Sequence, residues 1–399
     1  MDCSTGHVPQ DYGISGIVYD VGSVYEKLTK LTDLRKAKGK LYTLELVLLI
    51  VVMAKLCGED KLLGIAEWAQ NRQEELVQLL KLNWARMPSH HTYRRIMAQK
   101  VYVEEVERLV GEYNQHGEHG AVYAMDGKAR RGVRKKDEAG QEYGLSIYDV
   151  QQAKVMAQVE VGRKENEIVK APQALKLVEI SQKVITADAM HTQRGLATQI
   201  LEAQGEYVFP VKENQPQLHK NIQALFAPEY PKPGFGKIQT DFLTAQKVNK
   251  GHGRIEIRTI TTSEMLNAYA AWPGLAQVYR LERQFDWRRN GRSYHTSCEV
   301  EFGITSLTRK EASPEQVLNI RRTHWAIEIG LHYRRDVTLN EDGTRMTIGN
   351  TGMVMASINN LILALIRQAG FHNAAQARRY FAAHPSKAFA LLTTPFSPS

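Results

Sequence analysis

AVYAMDGK, residues 121–128, and KVITADAM, residues 183–190, decide the reading of this chain. Each is a short apolar run closed by an aspartate, the pattern of a buried strand that delivers a carboxylate to the edge of a sheet. Asp126 and Asp188 lie 62 positions apart. Outward from them, beginning at Ala121, come three strand-like runs (VYAMDG, EYGLSIYDVQ and KVMAQVEVG) and a helix from about Pro172 to Gln182. The strand KVITAD, a helix over TQRGLATQILEAQ and a fifth strand EYVFPVKEN follow. Strands first, then alternating helix and strand, imply a meander of three strands with parallel additions through crossover helices. In that order the first and fourth strands are neighbours, so the two aspartates are expected to converge.

A third acid, Glu328, stands in RRTHWAIEIGLHY, 140 positions beyond Asp188. Ser313-Pro314-Glu315 reads as a helix start, and Ile320, Ile327 and Leu331 then form one stripe that should face the sheet. Glu328 falls about 100° round from Ile327, at the edge of that stripe. The order of elements is that of a ribonuclease H-like core, an α/β fold with a mixed five-stranded sheet and helices. The 140-residue gap implies a strand-rich insertion. The expected organisation is a tail over 1–30, an all-α N-terminal DNA-binding domain over 31–115, core over 116–215, a β-rich insertion over 216–302, core again over 303–370, and a C-terminal helix and tail over 371–399. Taken singly, each acid also reads as an ordinary solvated or salt-bridged surface group. Together they suit in-line phosphoryl transfer, in which two Mg²⁺ ions about 3.5–4 Å apart stabilise the entering and leaving oxygens and are held by a few carboxylates; Mn²⁺ should substitute.

Composition agrees with a polyanionic partner without proving one. Lys and Arg total 52 against 43 Asp and Glu, a formal charge of +9. The three cysteines, Cys3, Cys57 and Cys298, have neither paired nor metal-type spacing. The longest apolar run, Leu46 to Ala54, is far short of the roughly 20 residues of a membrane span. A cytoplasmic, nucleoid-associated protein with no membrane contact and no small-molecule substrate is expected.

Several polar groups are candidates for holding DNA. ARMPSHHTYRRIMAQK reads as a helix opened by Ser89, with Arg94 and Arg95 on its early turns, suited to a recognition helix and equally to a solvated helix of a bundle. Lys128, Arg130, Arg131, Arg134, Lys135 and Lys136 crowd just beyond Asp126, and Lys212, Asn214 and Gln215 end the fifth strand beside Asp188. A hairpin turning at Asn290-Gly291 carries Arg283, Arg288, Arg289 and Arg292 with Phe285 and Trp287. Arg322 either faces a phosphate or ties its helix to the sheet; Trp325 either stacks a base or belongs to the core. His324, Glu328 and His332 make a row at i, i+4 and i+8 that admits a zinc reading, although a histidine beside acids more often hydrogen-bonds a carboxylate or a phosphate.

These motifs together resemble a family. DGKARRG (126–132), ADAMHTQ (187–193), VKENQ (211–215), HGRIEIR (252–258) and HWAIEIGLHYRRDVTLNED (324–342) follow the order typical of the H-repeat-associated branch of bacterial DDE insertion-sequence transposases. The resemblance runs from about Leu31 to Arg367 and departs at Ile329, where an Asn is usual, and at Tyr333, where a Trp is usual. It implies that Asp126, Asp188 and Glu328 are the metal-binding triad, that the helical N-terminal domain binds DNA, and that the protein cuts terminal inverted repeats and joins 3′ ends to target DNA, commonly as a homodimer. Two other classes stay open: an inert, domesticated DNA-binding protein on the same fold, and a ribonuclease H-like repair nuclease or resolvase that cuts without strand transfer.

Overall fold

The computed structural model describes residues 16–36, 40–84, 86–99, 101–129, 143–162, 165–227, 240–251, 253–289, 292–344 and 346–395. The chain opens with helices α1 (Val24–Thr29), α2 (Leu44–Leu56), α3 (Leu62–Asn71), α4 (Gln73–Leu79), α5 (His90–Gln99) and α6 (Val103–Asn114). Strands β1 (Val122–Ala129), β2 (Tyr143–Asp149) and β3 (Lys154–Val161) follow, then α7 (Glu167–Leu175), β4 (Val184–Ala187), α8 (Arg194–Glu202), β5 (Glu206–Val211) and α9 (Pro216–Leu225). Next are β6 (Leu243–Gly251), β7 (Arg254–Ser263), β8 (Gln277–Arg289), β9 (Arg292–Thr305), α10 (Pro314–Thr323) and a short α11 (Trp325–Ile327). The α11 turn continues into π-helical segments over Glu328–His332 and Arg334–Thr338. Helices α12 (Thr351–Gln368), α13 (Ala374–Ala383) and α14 (Pro385–Thr393) end the chain.

The strands form one nine-stranded sheet in the order β3-β2-β1-β4-β5-β9-β8-β7-β6. The β1–β3 meander is antiparallel, and β4 and β5 add in parallel to β1, as the order of elements implies. Two expectations change. The five-stranded sheet does not end at β5, because Val208–Val211 pairs antiparallel with Phe302–Thr305 of β9. The strand-rich insertion therefore extends the core sheet, and the expected boundary at 302 falls inside β9. The helix after β3 begins at Glu167 rather than Pro172, because Asn166 caps it by accepting from the Ile168 amide at 3.0 Å.

Period-2 alternation gives the sheet two faces. Tyr123, Met125, Ile185 and Ala187 face the core that includes Ala171 and Leu175 of α7 and Ile200 of α8. Val122 and Val184 pack with Val317 and Leu318 of α10, and Ala124 packs with Ile327 and Leu331. Asp126 and Asp188 share the parity of that second face.

The helical body is not built from residues 31–115 alone. α2, LELVLLIVVMAKL, is apolar all round and is buried from Leu44 to Leu56 apart from Glu45, the environment such a sequence requires. One continuous core joins it to α12, α13 and α14. Residues 16–30, expected within a tail, contribute Ile17, Val24, Tyr25 and Leu28 to this core, and residues 1–15 lie outside the described residues. Among the described residues no helix is long and apolar enough to cross a membrane.

A buried ionic network fixes the far end of the helix that carries Glu328. Arg335, only 1% exposed, donates from Nε and Nη2 to the Glu341 carboxylate at 2.7 and 2.6 Å, and from Nη1 to Gln158 Oε1 of β3 at 3.1 Å. Asn359 of α12 also donates to Glu341, at 2.9 Å. Burial works against the Glu341 carboxylate, but Arg335 and these donors hold its pKa down to about 2. Its contribution to stability is therefore present above the unfolded value near 4.5 and is lost as pH falls from there toward 2. Glu341→Gln, which strands a buried guanidinium, should cost about 3–5 kcal/mol and flatten the acid limb of a Tm-versus-pH curve over that window; an unchanged curve would remove the pair from the account.

Candidate active site

Strand register places the first two acids. Met125 is partnered with Ala187 in the parallel β1–β4 pair, so Asp126 and Asp188 are the next residue of each, about 4.8 Å apart between strand axes. β1 itself runs on through Asp126 to Ala129, so this acid lies within the strand and not at its end. Glu328 approaches across the same face. Its helix can come this close because residue 330 is glycine: a Cβ there would lie 2.3 Å from Tyr148 Oη of β2.

Two buried histidines divide the acids between them. His332 Nδ1 lies 3.5 Å from Asp126 Oδ2 and 3.4 Å from Glu328 Oε2. His324 Nε2 lies 3.3 Å from Asp188 Oδ1, while its Nδ1 is 3.2 Å from Thr186 Oγ1. The row of His324, Glu328 and His332 that admitted zinc is thus not one site, because His324 turns to the other aspartate. Asp126, Glu328 and His332 do converge, each offering a ligand atom within 4.8 Å of the others.

The electrostatics follow from this partition. Burial first, then Asp188 and Glu328, push the Asp126 carboxyl up to about 8. A hydrogen bond to His324 leads the forces that hold Asp188 below its ordinary range, and His332 does the same for Glu328. The outer two are anionic at neutral pH, and the central one keeps its proton. Such a cluster of oxygen donors with uncompensated negative charge fits a divalent cation.

The remaining candidates separate by surroundings. Lys128 is buried, and its Nζ lies 2.6 Å from Asp336, so it ties β1 to the Glu328 helix and is not free for DNA. Two residues beyond Asp126, it shares that residue's face, where the helix covers it. Asn214 donates to the carbonyls of Ala189 (2.7 Å) and Thr192 (3.4 Å), and Gln215 donates to that of Thr192 (2.9 Å), so both brace the turn after Asp188. Lys212 is exposed and near enough to Asp188 to help lower its pKa. Arg94 and Arg95 are exposed on α5, whose Tyr93, Ile96 and Met97 are buried. Arg288 is exposed but pairs with Asp286 at 2.6 Å; Arg289 is exposed beside the hairpin tip, whose residues 290–291 lie outside the described residues. Arg130, Arg131, Arg134, Lys135 and Lys136 also lie outside them. Trp325 is exposed and not core. Arg322 is exposed, while the structural role considered for it belongs to Arg321, which grips Glu301 bidentately at 2.7 and 3.1 Å.

Two features escape a reading of the sequence. Glu167, at the start of α7, raises the Asp126 pKa further and packs so closely on Gly127 that a Cβ there would lie 2.1 Å from its carboxylate. The Asn166 cap is the available signal. The second is a groove of about 920 Å³ between β7–β9 and α10, running to Trp325 and Ile329. Arg258 of β7 is crowded there: burial, then Arg322, Arg283 and Arg254, lower its pKa despite its 2.6 Å pair with Glu256. Arg254 and Arg258 of β7, Arg283 of β8 and Arg322 of α10 supply these cations, a pattern across elements that no single stretch of sequence displays.

Comparison with known proteins gives the family. Residues 117–363 match the family described as Transposase DDE domain, and residues 25–113 match the DDE_Tnp_1-associated family. The chain belongs to the DDE transposase family, of the insertion-sequence type. "Putative transposase YncI" of Escherichia coli O157:H7 is 25% identical over 87% of this chain and 88% of its own. "H repeat-associated putative transposase YhhI" of Escherichia coli K12 is 24% identical over 87% and 91%. A cryo-EM structure of a piggyBac transposase synaptic complex with hairpin DNA aligns with 93% of this chain and 76% of that one, at 12% identity and a TM-score of 0.41.

Two outcomes follow from this geometry. Without divalent ions the folded state holds a proton on Asp126 that the unfolded state loses above about pH 4, so this group lowers stability progressively from about pH 4 to about 8. Asp126→Asn should therefore raise the metal-free Tm more at pH 8 than at pH 5; an equal gain at both would refute the crowding. Gly330→Ala should push the Glu328 helix off Tyr148 and cut activity about 100-fold or more. Adding Tyr148→Phe, which removes the clashing oxygen, should restore part of it, and no recovery would count against the packing argument.

Proposed function

We propose that this chain cleaves DNA at the terminal inverted repeats of an insertion sequence and joins the 3′ ends to target DNA on a ribonuclease H-like core. The observation that carries the reading is the convergence of Asp188 and Glu328, from distant stretches of the chain, on the half-buried Asp126 carboxyl, which burial first and then these two acids push up to about 8. Asp126, Asp188 and Glu328 would hold two Mg²⁺ ions, with Mn²⁺ as a substitute. Bound there, the ions supply charge stabilisation for the attacking and leaving oxygens of an in-line displacement. With the site loaded, Asp126 would bind as the carboxylate, its proton passing to solvent. His324 fixes the Asp188 carboxylate through Nε2, and its own tilt is set by Thr186. Lys212, exposed and near Asp188, would meet a phosphate oxygen.

DNA would approach along the basic groove of Arg254, Arg258, Arg283 and Arg322, which ends at the Glu328 helix, with Arg288 and Arg289 meeting phosphates farther out on the hairpin. Arg94 and Arg95, on the solvent face of α5, are the candidates for reading sequence. Joining both ends of one element in a single event calls for two copies of the chain, which supports a homodimer on DNA.

Asp126→Asn, Asp188→Asn and Glu328→Gln should each reduce cleavage and strand transfer of terminal-repeat DNA by about 100-fold or more while leaving binding nearly intact, because phosphate affinity rests on Lys and Arg. Near-normal cleavage by any one of them would remove that residue from the triad. In salt titrations of binding, Arg254→Glu with Arg322→Glu should weaken terminal-repeat and random duplex alike and flatten the slope by roughly 0.9 for each phosphate no longer neutralised. Arg94→Glu with Arg95→Glu should instead cost terminal-repeat DNA about 1–3 kcal/mol more than random duplex per base contact; equal losses would reduce α5 to positioning the backbone.

A further inference from the structure

The two sides of Asp126 differ in the donors they would offer an ion. Toward Asp188 they are all oxygen, because His324 spends Nε2 on the Asp188 carboxylate and Nδ1 on Thr186. Toward Glu328 a ring nitrogen stands among them. We propose that His332 is itself a metal ligand, through Nδ1, so that one ion of the pair sits in a mixed nitrogen–oxygen shell formed by Asp126, Glu328 and His332 while the other sits among carboxylates. This rests on the two-ion reading above and adds to it an assignment of one residue.

Three observations carry the assignment. His332 Nδ1 faces two carboxylates at once, with separations of 3.5 Å from Asp126 Oδ2 and 3.4 Å from Glu328 Oε2. They fall at the upper end of the roughly 3.0–3.5 Å between neighbouring ligand atoms set by metal–ligand bonds of about 2.0–2.2 Å. His332 is also 7% exposed and sits on a helix anchored on either side by Gly330 against Tyr148 and by Arg335 against Glu341, so its ring is held where it stands. Finally, its Nε2 is buried and has no hydrogen-bond partner. The polar work of this ring is therefore done by Nδ1, on the side of the acids.

The consequence is a difference in ion preference between the two positions. Carboxylates alone suit Mg²⁺, whereas an imidazole in the shell shifts preference toward later first-row ions. An imidazole whose other nitrogen has no partner gains no added basicity from a neighbour, so the preference is moderate, about tenfold in affinity.

The test uses the full chain and Mn²⁺ alone, without DNA. Pulsed EPR of the protein carrying two equivalents of Mn²⁺ should show ¹⁴N coupling, replaced by the ¹⁵N pattern when the histidines are ¹⁵N-labelled. The coupling should vanish in His332→Gln and persist in His324→Gln. Calorimetry should show one of two Mn²⁺ sites weakened about tenfold in His332→Gln, with the other unchanged. Bound Mn²⁺ without nitrogen coupling in the unmutated protein would overturn the assignment and leave the two-ion reading standing. Loss of the coupling in His324→Gln, or its survival in His332→Gln, would overturn it as well. If the unmutated, folded protein binds no Mn²⁺ at all, the two-ion reading fails and takes this assignment with it.

Discussion

Everything in this site turns on the partial burial of one carboxyl and the negative charge gathered around it. Asp126 is withdrawn from water and faces Asp188 and Glu328, with Glu167 behind it, and the result is a carboxyl pushed up to about 8. Left to itself, a fold would not assemble such a cluster, since withdrawing a carboxylate from water beside two exposed anions costs free energy. The arrangement persists because other contacts hold it. Two parallel strands in register fix Asp126 and Asp188 side by side, and a helix clamped to the sheet brings in Glu328.

That clamp is distributed along the helix. Glycine at 330 allows contact with Tyr148 of β2, Lys128 of β1 reaches Asp336, and Arg335 joins Glu341 to Gln158 of β3. Ile327 and Leu331, with Ala124 beneath them, supply the apolar contact between these polar fastenings. The segment is wound as a π-helix from Glu328 onward, a geometry that occurs at functional sites because it trades regular hydrogen bonding for a particular side-chain placement. Within this segment His332 Nδ1 and Glu328 Oε2 lie 3.4 Å apart.

The strand order and the three acids are legible in the sequence because they rest on local signals: apolar runs of strand length, their closing aspartates, and a helical stripe beside Glu328. The two aspartates can be paired in advance because topology alone makes β1 and β4 neighbours. Pairing at a distance is not legible in this way. That β5 continues into β9, so that the insertion extends the core sheet, depends on hydrogen bonds between segments almost a hundred residues apart. Lys128 reads from the sequence as a DNA contact although the strand period already places it on Asp126's face; only the covering helix explains why it pairs with Asp336. Asn214 reads as a group facing substrate, and it serves the turn after Asp188 instead. The histidines read as one row because helical spacing is all the sequence offers; the sheet beneath assigns them to different acids.

Whether the crowded carboxyl is a metal bridge decides the chemistry of the whole site. Anomalous diffraction from crystals soaked in Mn²⁺ addresses this directly, because it locates ions without reference to activity. Two peaks should appear on either side of Asp126, one within bonding distance of Asp188 and the other within bonding distance of Glu328. A lone peak away from Asp126, or none in crystals diffracting well enough to reveal one, would contradict the claim that the three acids form a two-ion centre.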